Sequence, residues 1–308
     1  MLHLAIVVTS VPDQRLLLPF DTRGAWDLMP GRWRVDQRWL GEGEAWEAQV
    51  LVPDADAGRA ALSIVRERLA GRRVDINVVP ASRFRRKRLL VADMESTIVE
   101  QEFIDELADL AGERLAVAAI TERAMRGEMD FEAALTQRVA RLKGLSIDDL
   151  EQVYRTRLDL MPGAAELVAT MRRDGATTAL VTSGFSYFAR RIAARLGFDT
   201  YESNRTSVLG GRLDGSVMPP IVGPAEKRAA LERLAAVHGL APAETLAVGD
   251  GANDIEMIRA AGLGVAFRAK PVLRETTAAL PTGAVVTHGG LSALLYLQGY
   301  RREEFARP

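Results

Sequence analysis

The stretch LLVADMESTIVEQEF, residues 89–103, decides the fold. Four apolar residues run up to Asp93, and a second acid, Glu95, follows two positions later. A short β-rich run that ends in a carboxylate and passes into helical periodicity predicts a buried strand of a parallel sheet. Carboxylates in that position are costly unless a cation or a reaction needs them. Short, β-rich apolar runs, most of them ending in Gly, Asp or Ser, recur at TTALVTSG (177–184), TLAVGDG (245–251), LGVAFRA (263–269) and GAVVTHG (283–289). Such runs, separated by helical segments, predict an α/β fold with a doubly wound parallel sheet. Ligand chemistry in such a sheet lies at the carboxyl ends of the strands, where Asp93, Ser183 and Asp250 all fall.

Composition narrows the chemistry. The chain has 308 residues, 48% hydrophobic and 26% charged, with a formal net charge of −1. That is ordinary globular composition, long enough for two domains. No global field favours nucleic acid or an anionic membrane. The absence of cysteine excludes disulfides, thiolate metal sites and thiol nucleophiles. The N-terminus lacks the basic n-region of a signal peptide and no apolar run is long enough to span a bilayer, so a cytoplasmic enzyme is expected. The three histidines, His3, His238 and His288, are scattered. The chemistry is therefore expected to run on carboxylates.

Residues 1–82 read as a small separate α+β unit, ferredoxin- or ACT-like. LHLAIVVTS, AWEAQVLVP and VDINVVP have strand character, and residues 57–71 have apolar positions at helical spacing with Gly71 as a stop signal. The stretch 20–45, rich in Trp and Gly, carries no readable topology. The basic run RFRRKR (83–88) reads as a solvated linker, because no aromatic interleaving supports nucleic-acid binding. Residues 83–308 form the second unit. Within it the segment 104–158, between the first two strands, is far longer than a crossover needs. It predicts a helical cap over the strand ends. Residues 203–227 contain VLGGRLDGSV, two strand-like runs around Gly-Gly, and predict a hairpin flap.

Three further features follow Asp93 in order. Ser183 ends a strand in LVTSG, Lys227 opens a helix in VGPAEKRAAL, and Asp250 and Asp254 sit in AVGDGANDIEM. With these four motifs, residues 88–270 resemble the haloacid dehalogenase superfamily of phosphohydrolases, and among them the phosphoserine phosphatases. The resemblance implies the superfamily's Rossmann-like core and hydrolysis of O-phospho-L-serine, the last step of serine synthesis. Physical chemistry agrees with that implication. A phosphomonoester carries about two negative charges, so a carboxylate nucleophile needs a divalent cation beside it. Magnesium prefers hard oxygens and keeps several waters. The Asp93 side chain, the Glu95 backbone carbonyl and the Asp250 side chain can supply three ligands. Asp93 would then attack phosphorus to form an aspartyl-phosphate. Lys227 and Ser183, with backbone N–H groups around Gly184, would hold the phosphoryl oxygens. Asn253 and Asp254 would orient Lys227 and the metal's waters.

Glu95 departs from the resembling phosphatases, which usually carry aspartate there as the general acid/base. A glutamate keeps the carboxyl and adds one methylene, so the chemistry stays available. An amino-acid phosphotransferase similar to these phosphatases also has Glu, which leaves transfer to an alcohol open. Glu102, nine residues after Asp93 at the mouth of the cap, suits the substrate ammonium; by match to the family's substrate segment, Arg138 would take the carboxylate, and Met125 and Phe131 would form the apolar wall. Taken singly, Arg138 is an ordinary solvated helix residue and Met125 and Phe131 ordinary core. Two rivals stand beside hydrolysis of phosphoserine. One is a related phosphatase or phosphotransferase; the other is a weakly active amino-acid sensor with residues 1–82 as its effector module. The sequence leaves the oligomeric state open, a homodimer included.

Overall fold

The computed structural model describes residues 1–11, 14–15 and 17–307. The chain opens with β1 (Leu2–Ser10), α1 (Pro19–Leu28), β2 (Arg34–Gly41), β3 (Ala45–Val52), α2 (Ala55–Arg68) and β4 (Val74–Pro80). These build an antiparallel sheet of order β2-β3-β1-β4. The stretch without readable topology supplies α1 and β2. Proline at the N-terminus of α1 suits a helix start, whose first N–H groups have no intrahelical partner. The inner face packs Ile6, Val8, Trp46, Val50, Ala61 and Val65 into a core of its own.

The second sheet begins with β5 (Leu89–Ala92), whose four residues are all buried. Four helices then leave the sheet: α3 (Phe103–Leu110), α4 (Arg114–Met125), α5 (Phe131–Ala140) and α6 (Ile147–Arg157). Asp130 and Ser146 cap α5 and α6 by accepting backbone N–H groups three residues on. The chain returns through α7 (Ala164–Arg173), β6 (Thr177–Phe185), α8 (Ser186–Leu196), β7 (Thr200–Leu209) and β8 (Arg212–Met218). It closes with α9 (Pro224–Val237), β9 (Thr245–Gly249), α10 (Ile255–Ala260), β10 (Leu263–Phe267), α11 (Pro271–Ala278), β11 (Gly283–Val286) and α12 (Ala293–Leu297). The seven strands run in the order β11-β10-β9-β5-β6-β7-β8. All neighbours are parallel except the β7–β8 hairpin. Its turn places Gly210 and Gly211 at φ of +59° and +76°, which side chains disfavour.

β5 lies between β9 and β6, the place where chain order reverses, so its carboxyl end opens into the crevice at which such sheets bind ligands. Both faces of the sheet are covered. One carries Leu90, Leu180, Val248 and Phe267; the other carries Leu89, Val91, Val181 and Ala247. Each fully buried aliphatic side chain contributes about 1.5–3 kcal/mol relative to exposure. The crevice is therefore built on a rigid floor.

The cap is fastened to the hairpin by backbone bonds. Leu213 N–H donates to Leu145 O at 2.8 Å, Gly144 N–H to Leu213 O at 2.8 Å, and Ile147 N–H to Gly211 O at 3.0 Å. The two sheets meet at their edge strands, β4 and β11. Asn77 accepts from Val285 N at 2.8 Å and donates to Val285 O at 2.9 Å. Asp75 accepts from the backbone N–H groups of Thr287, His288 and Gly289. Two side chains thus satisfy an edge that would otherwise present unpaired backbone groups.

Candidate active site

Asp93 continues β5 by one residue, its N–H donating to Val248 O at 3.0 Å. That bond to β9 aims its carboxylate over the strand ends, where it is only 5% exposed. Lys227, in the first turn of α9, is fully buried. Its Nζ lies 2.8 Å from Asp93 Oδ1 and 2.7 Å from Asp254 Oδ1. Burial alone would lower the ammonium's pKa; attraction to Asp254 and Asp93 reverses this and raises it. Lys227 is therefore a permanent cation. The second Asp254 oxygen accepts from Gly251 N at 3.1 Å, so this carboxylate is spent on positioning. A Cβ at Gly249 would stand 2.3 Å from the Asp254 carboxyl carbon, which explains the glycine at the end of β9.

One carboxylate oxygen from each of Asp93, Asp250 and Asp254 falls within 4.8 Å of the others. Burial, then the Asp93 charge, pushes the Asp250 carboxyl up to about 6. Three acids against Lys227 and the half-exposed Lys270 still leave one negative charge uncompensated, and the donors are hard oxygens. That set can hold a divalent metal ion.

Glu95 stands beside this cluster. Its Oε1 accepts from Phe103 N at 2.8 Å. Phe103 is itself fixed by stacking on Phe188 of α8, with ring centroids 3.9 Å apart. Burial first, and then the Glu102 charge, raise the Glu95 carboxyl well above the ordinary range; Arg138 acts in the opposite direction. A carboxyl kept protonated in this way can donate a proton. Glu102 accepts from Ser96 Oγ at 2.9 Å. Ser96, a non-glycine residue at φ of +52°, turns the chain so that both glutamates face the crevice.

Ser183 Oγ is buried and has no hydrogen-bond partner among the described residues. The strand end around it is held by the buried Asn204, which donates to Ser183 O at 2.9 Å and bonds both backbone groups of Val222. Gly184 N–H is taken by Thr182 Oγ1 at 2.9 Å. A Cβ on Gly184 would come within 2.7 Å of Glu95 Oε2 and 2.9 Å of the Met94 side chain, so a larger residue there would displace Glu95. Arg138 Nε is likewise buried without a partner. Orphaned buried donors are rare in native proteins and call for an explanation. Phe131 packs on Gly223, with ring carbons 3.1 Å from where a Cβ would be. Asn253 lies in the turn after β9, its Oδ1 close to Gly251.

Met125 is the outlier. It is 77% exposed and lines an outer groove with Glu106, Asp109 and Arg157 rather than the acid cluster. The sequence reading also passed over Lys270. Its Nζ lies 3.4 Å from Asp250 Oδ2 and 4.0 Å from Glu102 Oε1, at the mouth of the crevice. The available signal was its position just past the strand LGVAF and before Pro271, the same strand-end place that singled out Asp93 and Asp250. Asn204 carried no such signal, because its partners lie 18 and 21 residues away.

Residues 87–262 match the family model of the haloacid dehalogenase-like hydrolases. A phosphoserine phosphatase of Archaeoglobus fulgidus is 45% identical over 71% of this chain and 65% of its own length, so this chain spans less than two thirds of that relative. A phosphoserine phosphatase of Albidiferax ferrireducens is 44% identical, the match covering 68% of this chain and 89% of the relative. The crystal structure of a probable phosphoserine phosphatase from Vibrio cholerae superposes with a TM-score of 0.73 at 30% identity, over 96% of this chain and 86% of that one. A buried acid cluster at the switch point of such a sheet, with these likenesses, settles the family: the chain belongs to the haloacid dehalogenase-like hydrolases, among their phosphoserine phosphatase members.

Proposed function

We propose that this protein is a magnesium-dependent phosphatase that releases L-serine and phosphate from O-phospho-L-serine, as the last step of serine synthesis in the cytoplasm. The observation that carries the reading is the pair of orphaned buried donors, Ser183 Oγ, next to the Gly184 that packs on Glu95, and Arg138 Nε, whose charge is felt at Glu95. One suits a phosphoryl oxygen and the other a carboxylate. They bracket a substrate with a phosphate at one end and an α-carboxylate at the other.

Asp93 and Asp250, with the Glu95 backbone carbonyl, would hold the magnesium ion. When bound, the ion offsets the charge of the phosphate and of the attacking carboxylate. Asp93 attacks phosphorus and the bond to the seryl oxygen breaks. The Glu95 proton passes to that oxygen, releasing the serine hydroxyl and leaving Glu95 ionised. Glu95 then takes a proton from water as the water attacks the aspartyl-phosphate, which frees phosphate and restores both carboxyls. Lys227 and Ser183 stabilise the charge on the phosphoryl oxygens, while the Gly184 N–H stays on Thr182. Asp254 and Asn253 keep Lys227 and the turn in place. Glu102 meets the ammonium, and Phe131 supplies the wall.

Phosphate release from a panel of small phosphomonoesters with magnesium tests this. The panel holds both phosphoserine enantiomers, phosphothreonine and phosphoethanolamine, with homoserine added as a rival acceptor. Preference for phosphoserine with stoichiometric inorganic phosphate is expected. Transfer to homoserine, or indifference to the α-carboxylate, overturns the reading.

A further inference from the structure

The basic run 83–88 takes no part in the chemistry above, yet the fold does not leave it as a free linker. A cavity of about 570 Å³ gathers Arg83, Arg85 and Arg86 with Arg38 of β2 and Arg301 from beyond α12. It shares no wall residue with the acid cluster. Two glutamates, Glu303 and Glu304, are the acids in its wall. Arginine stays protonated at any ordinary pH, so guanidiniums packed together cannot relieve their repulsion by losing protons.

Several of the five are held in place in advance. Arg38 and Arg85 share one carboxylate, that of the fully buried Glu47, with Arg38 at 3.0 Å. Arg85 Nε also donates to Leu297 O at 3.0 Å. Arg86 lies over the Tyr300 ring at 3.9 Å, and Arg83 over Phe84 at 4.5 Å. Arg38 Nε is buried without a hydrogen-bond partner, and Arg83 makes no ion pair among the described residues. Of the competing acids, Glu303 is held loosely, whereas Glu304 also accepts from Arg301 N at 2.7 Å and stays in the wall. Glu303 meets Arg301 at 3.7 Å, with both side chains at least half exposed. Glu304 meets Arg86 at 2.6 Å, and Asp174 meets it at 3.7 Å, in partly exposed pairs. Exposed pairs of this kind contribute little and yield to a multivalent anion.

We propose that this cavity is a binding site for a small molecule carrying consecutive phosphates, a nucleoside di- or triphosphate or a free polyphosphate. Guanidinium forks match phosphate oxygens two at a time, and a cavity of about 570 Å³ has room for several linked phosphates. Its walls come from β2, from the linker and from the segment after α12. A bound polyphosphate therefore ties the antiparallel sheet to the end of the phosphatase core.

The test is calorimetric titration of the full chain with inorganic tripolyphosphate and with ADP, each against sulfate at matched ionic strength. Titrating the parent and the Arg83→Ala/Arg301→Ala variant side by side cancels any binding at the catalytic site, which both share. Arg83 and Arg301 lie at the exposed rim of the cavity, and removing two guanidinium forks from the phosphate chain should weaken tripolyphosphate binding by roughly tenfold. Unchanged phosphoserine turnover and melting temperature would show that the variant is folded. Arg83→Lys/Arg301→Lys, which keeps charge but loses the forks, should recover only part of the affinity. ADP binding more tightly than tripolyphosphate assigns the site to nucleotides; the reverse order assigns it to polyphosphate itself. Equal affinities in parent and Ala variant, or sulfate binding as well as tripolyphosphate, overturn the proposal.

Discussion

Replacing Lys227 by methionine removes a buried charge at nearly constant volume, and two separate effects follow. The Nζ contacts Asp93 at 2.8 Å and Asp254 at 2.7 Å in a site closed to solvent. At an effective dielectric of about 20, each contact has a gross attraction of roughly 6 kcal/mol. Most of that is offset by taking the three charges out of water. Breaking such a buried arrangement by removing one partner costs about 3–5 kcal/mol, because the remaining carboxylates are left unpaired. At about 2 °C per kcal/mol for a large domain, the melting temperature should fall by roughly 6–10 °C. Turnover should fall as well, by about 10²–10³-fold, the usual effect of losing one donor to a charge-developing oxygen. Differential scanning calorimetry and steady-state phosphate release measure the two effects on one preparation. The double variant Lys227→Met/Asp254→Asn adds an internal check. Neutralising Asp254 removes part of the repulsion, so the double should be less destabilised than the sum of the singles, by about 0.5–3 kcal/mol. A Lys227→Met protein with the parent's melting temperature would refute the buried ion-pair argument, and strict additivity in the double would refute the coupling.

Arg138→Ala should raise KM for phosphoserine by about 30-fold or more, since a truncated desolvated Arg–carboxylate pair costs on the order of 2–5 kcal/mol. It should leave p-nitrophenyl phosphate, which lacks the carboxylate, nearly untouched; equal losses on the two substrates would mark Arg138 as structural. Glu95→Gln retains shape but cannot cycle a proton, so phosphoserine turnover should drop by roughly 10²–10⁴-fold. Glu95→Asp should keep substantial activity, and a Gln variant as fast as the parent would make Glu95 a bystander. Lys87 gives a pH signature. Burial, only partly opposed by Glu244, pushes its ammonium down to about 8 from 10.5. Between those values the unfolded chain holds the proton that the folded chain has lost, so this residue's contribution to stability rises with pH across that window. Urea midpoints of Lys87→Met against the parent should therefore differ most below about 8 and converge towards 10.5; a pH-independent difference would refute the assignment.

Much of the core was legible because local chemistry announces it. A buried strand ending in a carboxylate needs a reason, and two such strands in order with a strand-end serine and a helix-opening lysine leave few reasons open. Asp93, Ser183, Lys227, Asp250 and Asp254 were all readable on those grounds, as were the Gly-Gly hairpin and the cap helices. The stretch 20–45 was not. α1 and β2 there have weak periodicity of their own, and β2 owes its pairing to β3. Met125 failed for a related reason. Helical spacing and motif position do not say which face of α4 turns towards the crevice, and tertiary packing turned it outward.

The sequence by itself determined the parallel sheet and the strand-end acids, and it set the expectation of a cation beside them. These follow from periodicity and from the energetics of buried charge, which act over a few residues. The tertiary structure alone decided what depends on distant segments meeting. Lys227 bridging Asp93 and Asp254, Arg138 reaching the neighbourhood of Glu95, Lys270 at the mouth and Asp75 capping the 287–289 loop are of that kind. So is the gathering of Arg38, the 83–86 run and Arg301 around one cavity. Contacts across such separations are set by how sheets twist and helices dock, and no local pattern encodes them before the chain has folded.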